Sequence, residues 1–329
     1  MIMRKICLSA MALAIAAAGL TGCGSSGAAA KNSGDRLSIV CTIFPEYDWV
    51  REIMGSHADE ADITYLLDSG IDLHNFQPTA DDIMKISTCD LFIHVGGESD
   101  KWVDDALRES VNKDMKVIDL MELTGENAKE EEIKEGMEAE EEEDEEGEEE
   151  PEYDKHVWLS LKNASLFTEK IAEALGQVDS RHADDFTANA NAYIEKLDAL
   201  DAQYQEAVDS AAVKTLLFGD RFPFRYLTDD YGLDYYAAFI GCSAESEASF
   251  ETITFLAEKV DELGLKAIMQ IETSDGSIAK TIRDNTKSKD QEILILDSMQ
   301  AVTADRVADG ATYLSIMESD LTVLKQALK

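Results

Sequence analysis

Short apolar runs alternate with helical patterns in the first part of the chain, beginning near residue 36. The apolar runs have the length of buried strands, and the segments between them repeat apolar residues at steps of three and four. Strands that alternate with helices form parallel sheets with helices on both faces. The predicted strands are residues 37–43, 63–67, 91–95 and 115–120, and the predicted helices are residues 47–54, 80–88 and 101–109. Pro78, with Thr79 and Asp82 as a capping pair, marks the start of the second helix.

The same alternation returns in the last third of the chain, which predicts a second α/β lobe with its own parallel sheet. Its predicted strands are residues 214–218, 234–239, 266–271 and 292–296, and its predicted helices are residues 224–231, 250–263, 277–285 and 311–328.

Between these two regions, apolar residues at steps of three and four lie on one stripe of a long helix, with Ser180 or Asp179 as its N-terminal cap. The stripe consists of Phe186, Ala190, Tyr193, Leu197, Leu200 and Tyr204. The sequence therefore predicts an α/β protein of two Rossmann-like lobes, each with a parallel four-stranded sheet, joined by a long rigid helix. A cleft between the lobes lies beyond the carboxyl ends of the strands, where open α/β sheets bind ligands.

The chain begins with an export signal, because Arg4 and Lys5 precede a short apolar run, residues 6–20, that ends in small residues. That run is too short to span a membrane comfortably. The sequence Leu-Thr-Gly-Cys at residues 20–23 resembles the lipobox of bacterial lipoproteins, in which the cysteine becomes a lipidated N-terminus. We expect a signal peptide at residues 1–22, lipidation of Cys23, and a flexible tether through residue 35.

The remaining boundaries follow from the same patterns. We predict an N-terminal lobe at residues 36–160, a helical region at 161–210 and a C-terminal lobe at 211–329. Cys41, Cys89 and Cys242 are the cysteines of this body. Their spacing contains no CxxC element, so they are predicted to be small buried residues. A single disulfide between two of them remains an alternative.

Net charge changes the set of possible partners. The chain carries a formal charge of −39, and 17 acidic residues against two lysines lie in residues 126–152. Nucleic acid is excluded as a partner, because phosphate binding requires a basic surface. The acidic segment is predicted to be a disordered loop, either a solvated spacer or a weak collector of cations.

Two of the five histidines stand beside carboxylates at predicted element ends. His74 follows the second strand, and His156 precedes a helix. Asp220, Glu272 and Asp297 each follow a strand of the second lobe. Neutral imidazole nitrogens and carboxylate oxygens are zinc ligands, and two of each complete a four-coordinate site. His94 is predicted as a core residue, whereas His57 and His182 are predicted to be solvated.

These segments resemble the zinc- and manganese-binding solute receptors of ABC transporters, the cluster A-I family. That family carries Asp-Pro-His followed by an aromatic residue and Pro-Thr, and later Asp-Pro-His-x-Trp-Leu. The positions that match are Asp72, His74, Phe76, Pro78, Thr79, Asp154, His156, Trp158, Leu159 and Asn163, with Leu73 and Lys155 in place of the two prolines. A further run resembles the family's Ala-Asp-Leu, Asn-Gly and Trp pattern, at Asp90, Leu91, Gly96, Gly97 and Trp102.

The resemblance implies that His74, His156 and Asp297 are metal ligands. Where the family has His or Glu, strict alignment places Arg221, which remains protonated and cannot bind a cation. The fourth ligand is then Asp220, Glu272 or water, with a slight preference for Asp220.

The function implied is an extracellular, membrane-anchored receptor, monomeric and not an enzyme, that captures zinc, or alternatively manganese, and passes it to the permease of an ABC importer. The acidic segment lies where zinc receptors of the family carry a His- and acid-rich loop, which favours zinc. The alternatives are a secreted metallohydrolase, for which no HExxH or GxSxG motif is present, and a surface adhesion lipoprotein that uses metal structurally.

Overall fold

The computed structural model describes residues 36–138, 152–241, 243 and 247–329. The predicted signal peptide, Cys23 and the tether lie outside these ranges, as do Cys242 and most of the acidic segment. Within them, no helix is both long and apolar enough to cross a membrane.

The first sheet has four parallel strands in the order β2-β1-β3-β4. Each prediction of a strand in this lobe is confirmed, with no end shifted by more than two residues. The strands are β1 (Leu37–Cys41), β2 (Ala61–Tyr65), β3 (Leu91–His94) and β4 (Lys116–Asp119). Every residue of β3 is buried, as expected for a central strand of a parallel sheet. His94, at its end, is a core residue as predicted, with 5 % of its surface exposed.

The second sheet repeats this arrangement, with four parallel strands in the order β6-β5-β7-β8. The strands are β5 (Thr215–Phe222), β6 (Asp234–Ile240), β7 (Ala267–Ile271) and β8 (Glu292–Leu296). β5 extends four residues beyond the prediction, because its pairing with β6 resumes after a register shift between Phe218 and Arg221. The predicted fold class, two α/β lobes with parallel four-stranded sheets, is confirmed.

Helices connect the strands in both lobes. They are α1 (Phe44–Met54), α2 (Ala80–Thr88), α3 (Trp102–Arg108), α4 (Leu120–Thr124), α5 (Leu161–Val178), α6 (Ala183–Asp209), α7 (Arg225–Tyr231), α8 (Phe250–Leu263), α9 (Ser277–Asn285), α10 (Ala304–Ala308) and α11 (Tyr313–Ala327). Thr79 and Asp82 form the predicted capping box of α2.

The long helix α6 buries the predicted stripe. All six residues of that stripe are buried, and α6 packs against α5, α1 and α11. The hydroxyl of Tyr204 donates to the backbone oxygen of Met317 in α11, at 2.6 Å. The predicted cap is wrong: the N-cap residue is His182, which makes no side-chain capping bond. Asp179 instead uses its carboxylate to hold Arg181 and His182.

The beginning of the acidic segment, residues 126–138, contacts the second lobe. The sequence predicts a disordered loop there, and for these residues that prediction is wrong. Lys129 pairs with Asp229, and Lys134 pairs with Asp234. Glu138 donates its backbone N–H to Ala238 at 2.9 Å. The two lysines that interrupt the acidic run therefore fix residues 126–138 to the second lobe.

Candidate metal centre

His74 is oriented by its neighbours in a short 3-10 turn, Leu73–Asn75. The turn is anchored by the buried side chain of Leu73 and capped by Asp72, whose Oδ1 accepts from the backbone N–H of His74 at 3.0 Å. The ring nitrogen Nδ1 lies 2.9 Å from the hydroxyl oxygen of Ser99. This contact occupies Nδ1 and leaves Nε2 as the nitrogen available to a ligand.

His156 is held in the same way but more deeply. Asp154 Oδ1 accepts from the backbone N–H of His156 at 2.8 Å and lies 3.0 Å from its Nδ1. His156 has no exposed surface, and its ring lies edge-on to Trp158 at 5.2 Å. A carboxylate on the second nitrogen is the usual arrangement for a metal-binding histidine, because it fixes the tautomer and ring orientation.

The two free nitrogens converge. Nε2 of His74 lies 3.4 Å from Nε2 of His156. Two nitrogens bound at 2.0–2.1 Å to a tetrahedral zinc ion would be about 3.3 Å apart. Burial, followed by the proximity of His156, lowers the pKa of His74 to about 3. His74 is therefore neutral near pH 7, which is the form that binds metal.

The second lobe contributes a cluster of acids, Asp320 buried and Glu272 and Asp297 partly buried, near the ends of β7 and β8. Glu272 accepts from both the N–H and the hydroxyl of Ser298. Asp297 accepts from the N–H of Met299 at 2.9 Å and pairs with Arg306. Burial, and then the charge of Asp297, raises the pKa of Glu272. Burial likewise raises the pKa of Asp320, whose carboxylate accepts from the Asp297 N–H. A cation at this edge would relieve the repulsion among these carboxylates.

A polar chain links the histidine turn to these acids across the cleft. With its amide nitrogen facing Asp72, Gln300 lies 3.0 and 3.2 Å from the two carboxylate oxygens, and its amide oxygen lies 3.1 Å from the Ser298 hydroxyl oxygen. That hydroxyl oxygen also lies 2.9 Å from Glu272 Oε1, and its single proton can serve only one of the two acceptors at a time. The indole N–H of Trp158 also donates to the backbone oxygen of Ser298 at 2.9 Å. The sequence patterns did not indicate Ser99, Ser298 or Gln300, although the last two lie within three residues of Asp297.

Asp220 and Arg221 have different surroundings although they are adjacent. Asp220 is 8 % exposed, and its two oxygens accept from the backbone N–H groups of Arg221 and Ile271 at 2.8 and 3.2 Å. The Arg221 guanidinium lies 3.3 Å from Asp72 and donates to the backbone oxygen of Ser243. The position where the sequence pattern expects a ligand is therefore occupied by a cation that is bound to the histidine turn.

The two histidines and the second-lobe acids do not converge on a single metal position. Within the described ranges, no carboxylate joins His74 and His156 in a group whose ligand atoms all lie within 4.8 Å of one another. The paired imidazoles and the second-lobe acids are connected through Gln300 and Ser298 instead. A metal that bound both would have to displace part of this chain or bring the two sides closer.

Comparisons with known proteins agree with this architecture. The family model described as zinc-uptake complex component A periplasmic (ZnuA) matches residues 39–327. The chain is 30 % identical over 300 residues to the zinc-binding lipoprotein AdcA of Streptococcus pneumoniae, covering 90 % of this chain and 56 % of AdcA. It is 30 % identical over 315 residues to the high-affinity zinc uptake system protein ZnuA of Bacillus subtilis, covering 93 % and 92 %. The chain thus spans about half the length of AdcA and nearly all of ZnuA.

A solved structure shows the same relationship. The Zn(II)-bound ZnuA-like domain of S. pneumoniae AdcA superposes with a TM-score of 0.69 at 28 % identity, covering 89 % of this chain and 99 % of that domain. The family match covers nearly the whole described body, both sheets and both histidine turns. The chain belongs to the family of periplasmic zinc-uptake complex component A proteins.

Proposed function

We propose that this protein is the receptor of a zinc importer, which captures the ion outside the cytoplasmic membrane and delivers it to an ABC permease. The observation that carries this proposal is the 3.4 Å approach of the two Nε2 atoms of His74 and His156. Each ring has its other nitrogen held by a separate polar group, so the pair is preorganised for a shared ion. A pair of histidines that is already oriented can bind and release a metal ion reversibly, and this role requires no catalytic group.

The proposed shell consists of His74, His156 and Asp297, with Glu272 as the fourth ligand. Asp297 and Glu272 are partly buried and lie close enough that, after burial, the charge of Asp297 raises the pKa of Glu272. Asp220 is a weaker candidate for the fourth ligand, because both its oxygens already accept from backbone N–H groups. Water is the remaining alternative for that position.

Zinc is the proposed ion, with manganese as the alternative. Two imidazoles favour zinc over the oxygen-preferring divalent ions, and such a site has a higher intrinsic affinity for zinc than for manganese. The names of AdcA and ZnuA, and the zinc-bound state of the AdcA domain, point to the same ion in proteins at 28–30 % identity.

Capture is proposed to involve a small closure of the cleft. The polar chain through Gln300 and Ser298 already connects the lobes without a metal. Zinc would substitute for part of this chain by bringing the acids toward the histidines. Because α6 packs along three other helices, we expect the lobes to shift slightly rather than hinge widely.

Membrane attachment is proposed to occur through lipid on Cys23, with a monomeric body on the extracellular face. The support is the lipobox-like sequence at residues 20–23 and the description of AdcA as a lipoprotein. A tethered receptor remains close to its permease, which raises the effective concentration at the point of delivery.

The experiment is calorimetric titration of the metal-free full chain with zinc and, separately, with manganese. His74→Ala and His156→Ala should each weaken cleft binding of zinc by at least a hundredfold. Asp297→Asn should weaken it less, and Asp290→Asn, at an exposed position of the same lobe, is the matched control that should leave it unchanged. Glu272→Gln and Asp220→Asn identify the fourth ligand by which of them lowers affinity.

Two results would overturn the proposal. Tight zinc binding in the cleft that survived both histidine substitutions would exclude the site described above. Preferential binding of manganese over zinc would reject zinc as the transported ion.

A further inference from the structure

A second group of histidines and carboxylates lies where the end of α1 meets the start of α6. His57 belongs to the 3-10 turn Gly55–Glu60 after α1, and His182 is the N-cap residue of α6. The sequence predicts both as solvated, but the fold stacks their rings at a centroid distance of 4.0 Å. Their side chains are only 20 % and 23 % exposed.

Each of these rings is bound by a carboxylate through one nitrogen. Asp185 Oδ2 lies 3.1 Å from Nε2 of His57, and Asp179 Oδ2 lies 2.8 Å from Nδ1 of His182. The opposite nitrogens, Nδ1 of His57 and Nε2 of His182, are left for another partner. This pattern is the one described for metal-binding histidines, in which a carboxylate orients the ring from behind.

The remaining nitrogen of His57 provides an independent sign of a missing ligand. Nδ1 is buried and has no hydrogen-bond partner among the described residues, although Glu60 Oε1 lies 3.8 Å away. A buried polar atom without a partner requires an explanation such as a bound ion. One ring nitrogen of each histidine and one Glu60 oxygen lie within 4.8 Å of one another.

We propose that His57, Glu60 and His182 form a second metal site, distinct from the cleft, that takes a zinc-like divalent ion. Nδ1 of His57, Nε2 of His182 and a Glu60 oxygen are the ligands, and water completes a four-coordinate shell. Asp185 and Asp179 orient the two rings without binding the ion. Binding would require the exposed Glu60 side chain to rotate inward from 3.8 Å and the two stacked rings to tilt, so that their nitrogen lone pairs converge on the ion.

The ion at this site would join two segments that are far apart in sequence. The end of α1, which leads directly into the turn Gly55–Glu60, is already held to α6 by Asn189, whose amide donates to the backbone oxygen of Ile53 at 2.9 Å. A metal bridge from that turn to His182 would fix the first turn of α6, which no side-chain cap closes. The site therefore has a structural role, holding the start of the connecting helix against α1.

The test measures zinc bound per chain after equilibrium dialysis of the full chain, in millimolar calcium so that oxygen-only sites in the acidic segment are saturated. The starting protein carries His74→Ala and His156→Ala, which remove the cleft histidines. This background should retain one zinc per chain. Adding His182→Ala, His57→Ala or Glu60→Gln should remove or strongly weaken that ion, whereas Asp184→Asn, at an exposed and adjacent position, should not.

Cobalt(II) supplies a second readout, because its visible absorption reports the geometry of the bound ion. The cleft-deficient protein should show tetrahedral bands that disappear with His182→Ala. A cleft-deficient protein that bound no zinc, or whose zinc survived the His57 and His182 substitutions, would overturn the second site. Neither result depends on whether the cleft delivers zinc, so failure of this inference is separate from failure of the proposed function.

Discussion

The guanidinium of Arg221 lies 3.3 Å from the carboxylate of Asp72, so a cation of the second lobe is paired with the turn that carries His74. Both side chains are largely buried, at 16 % and 12 % exposure. Arg221 also contributes to lowering the pKa of His74, although less than burial and His156 do. This chain therefore places a positive charge near the histidine pair, at the position where the sequence alignment leads us to expect a ligand.

We expect Arg221→Gln to strengthen zinc binding in the cleft. Removing a charge that repels the incoming ion should raise affinity by about tenfold, the effect of two charges several ångströms apart in a partly polar site. Glutamine retains a donor for the backbone oxygen of Ser243, so local packing is largely preserved. Competition with a zinc chelator of known affinity measures the change.

The control is Arg283→Gln, which removes an equal charge from the same lobe at α9 and should leave zinc affinity within twofold of the starting value. A decrease in affinity for Arg221→Gln would contradict the expectation. It would show that the arginine mainly holds Asp72 in place for His74.

Gly241 offers a way to disturb the site without removing a ligand. A Cβ atom at this position would lie 2.9 Å from the Phe222 backbone oxygen and 3.1 Å from Cε1 of His156. Because backbone cannot move cheaply, Gly241→Ala should push the imidazole and weaken zinc binding by about tenfold, roughly 1.4 kcal/mol. Gly264→Ala cannot serve as the control, since its positive φ adds strain.

The control for Gly241→Ala is therefore Ser210→Ala, which also changes one side-chain atom, by removing a hydroxyl oxygen at the C-terminal end of α6. Titration calorimetry should show an unchanged stoichiometry for both proteins and a weaker affinity only for Gly241→Ala. Unchanged affinity for Gly241→Ala would mean that the backbone of the second lobe moves to accept the new methyl group without displacing His156.

The sequence predicted the strands well because their signals are local. Apolar runs of strand length define β7 and β8 to within a residue, and helices α8 and α9 were predicted with their observed ends. Both histidine turns were also readable, since Asp72 and Asp154 precede their histidines by two residues and bond to them locally.

Contacts between distant segments could not be read in the same way. Gln300 reaches Asp72 only because the two lobes meet, and no spacing within the chain reports that. His57 and His182 are far apart in sequence and carry no shared motif, so their stacking emerges only in the folded chain. The cap of α6 was misjudged because Asp179 binds the side chains of Arg181 and His182 instead.

The packing of α6 predicts how little the body should move on binding. Its stripe is fully buried against other helices, and Tyr204 is bonded to α11. We expect hydrogen exchange of α6 between residues 186 and 204 to remain equally slow with and without zinc, while exchange near His74 slows on binding. If the lobes shift only slightly, the amides of α6 should be equally protected from exchange in the metal-free and zinc-bound protein. Strong deprotection of α6 on metal removal would contradict a rigid connector.

Asp48 predicts a pH dependence of stability that is independent of metal. Its carboxylate accepts from the N–H of Tyr313 at 2.8 Å, and burial raises its pKa to about 7. In the unfolded chain Asp48 ionises near pH 4. Between pH 4 and pH 7 the carboxyl is therefore ionised in the unfolded chain and protonated in the folded protein, and the free energy of unfolding decreases as the pH rises. The contribution of Asp48 to stability should therefore fall as pH rises through this window and stay constant above it.

Asp48→Asn removes this ionisation while keeping an oxygen that can accept from Tyr313. The free energy of unfolding of the variant, relative to the wild type, should increase by about 1 kcal/mol per pH unit between pH 4 and pH 7. Urea unfolding of the metal-free proteins at several pH values measures this difference, and Asp59→Asn, which removes an exposed carboxylate, is the control. A difference that stayed constant over the window would mean that Asp48 remains ionised in the folded protein. In that case the hydrogen bond from the Tyr313 N–H would offset the cost of burying the Asp48 charge. The start of α11 would then be bound by an ionised carboxylate rather than by a neutral acid.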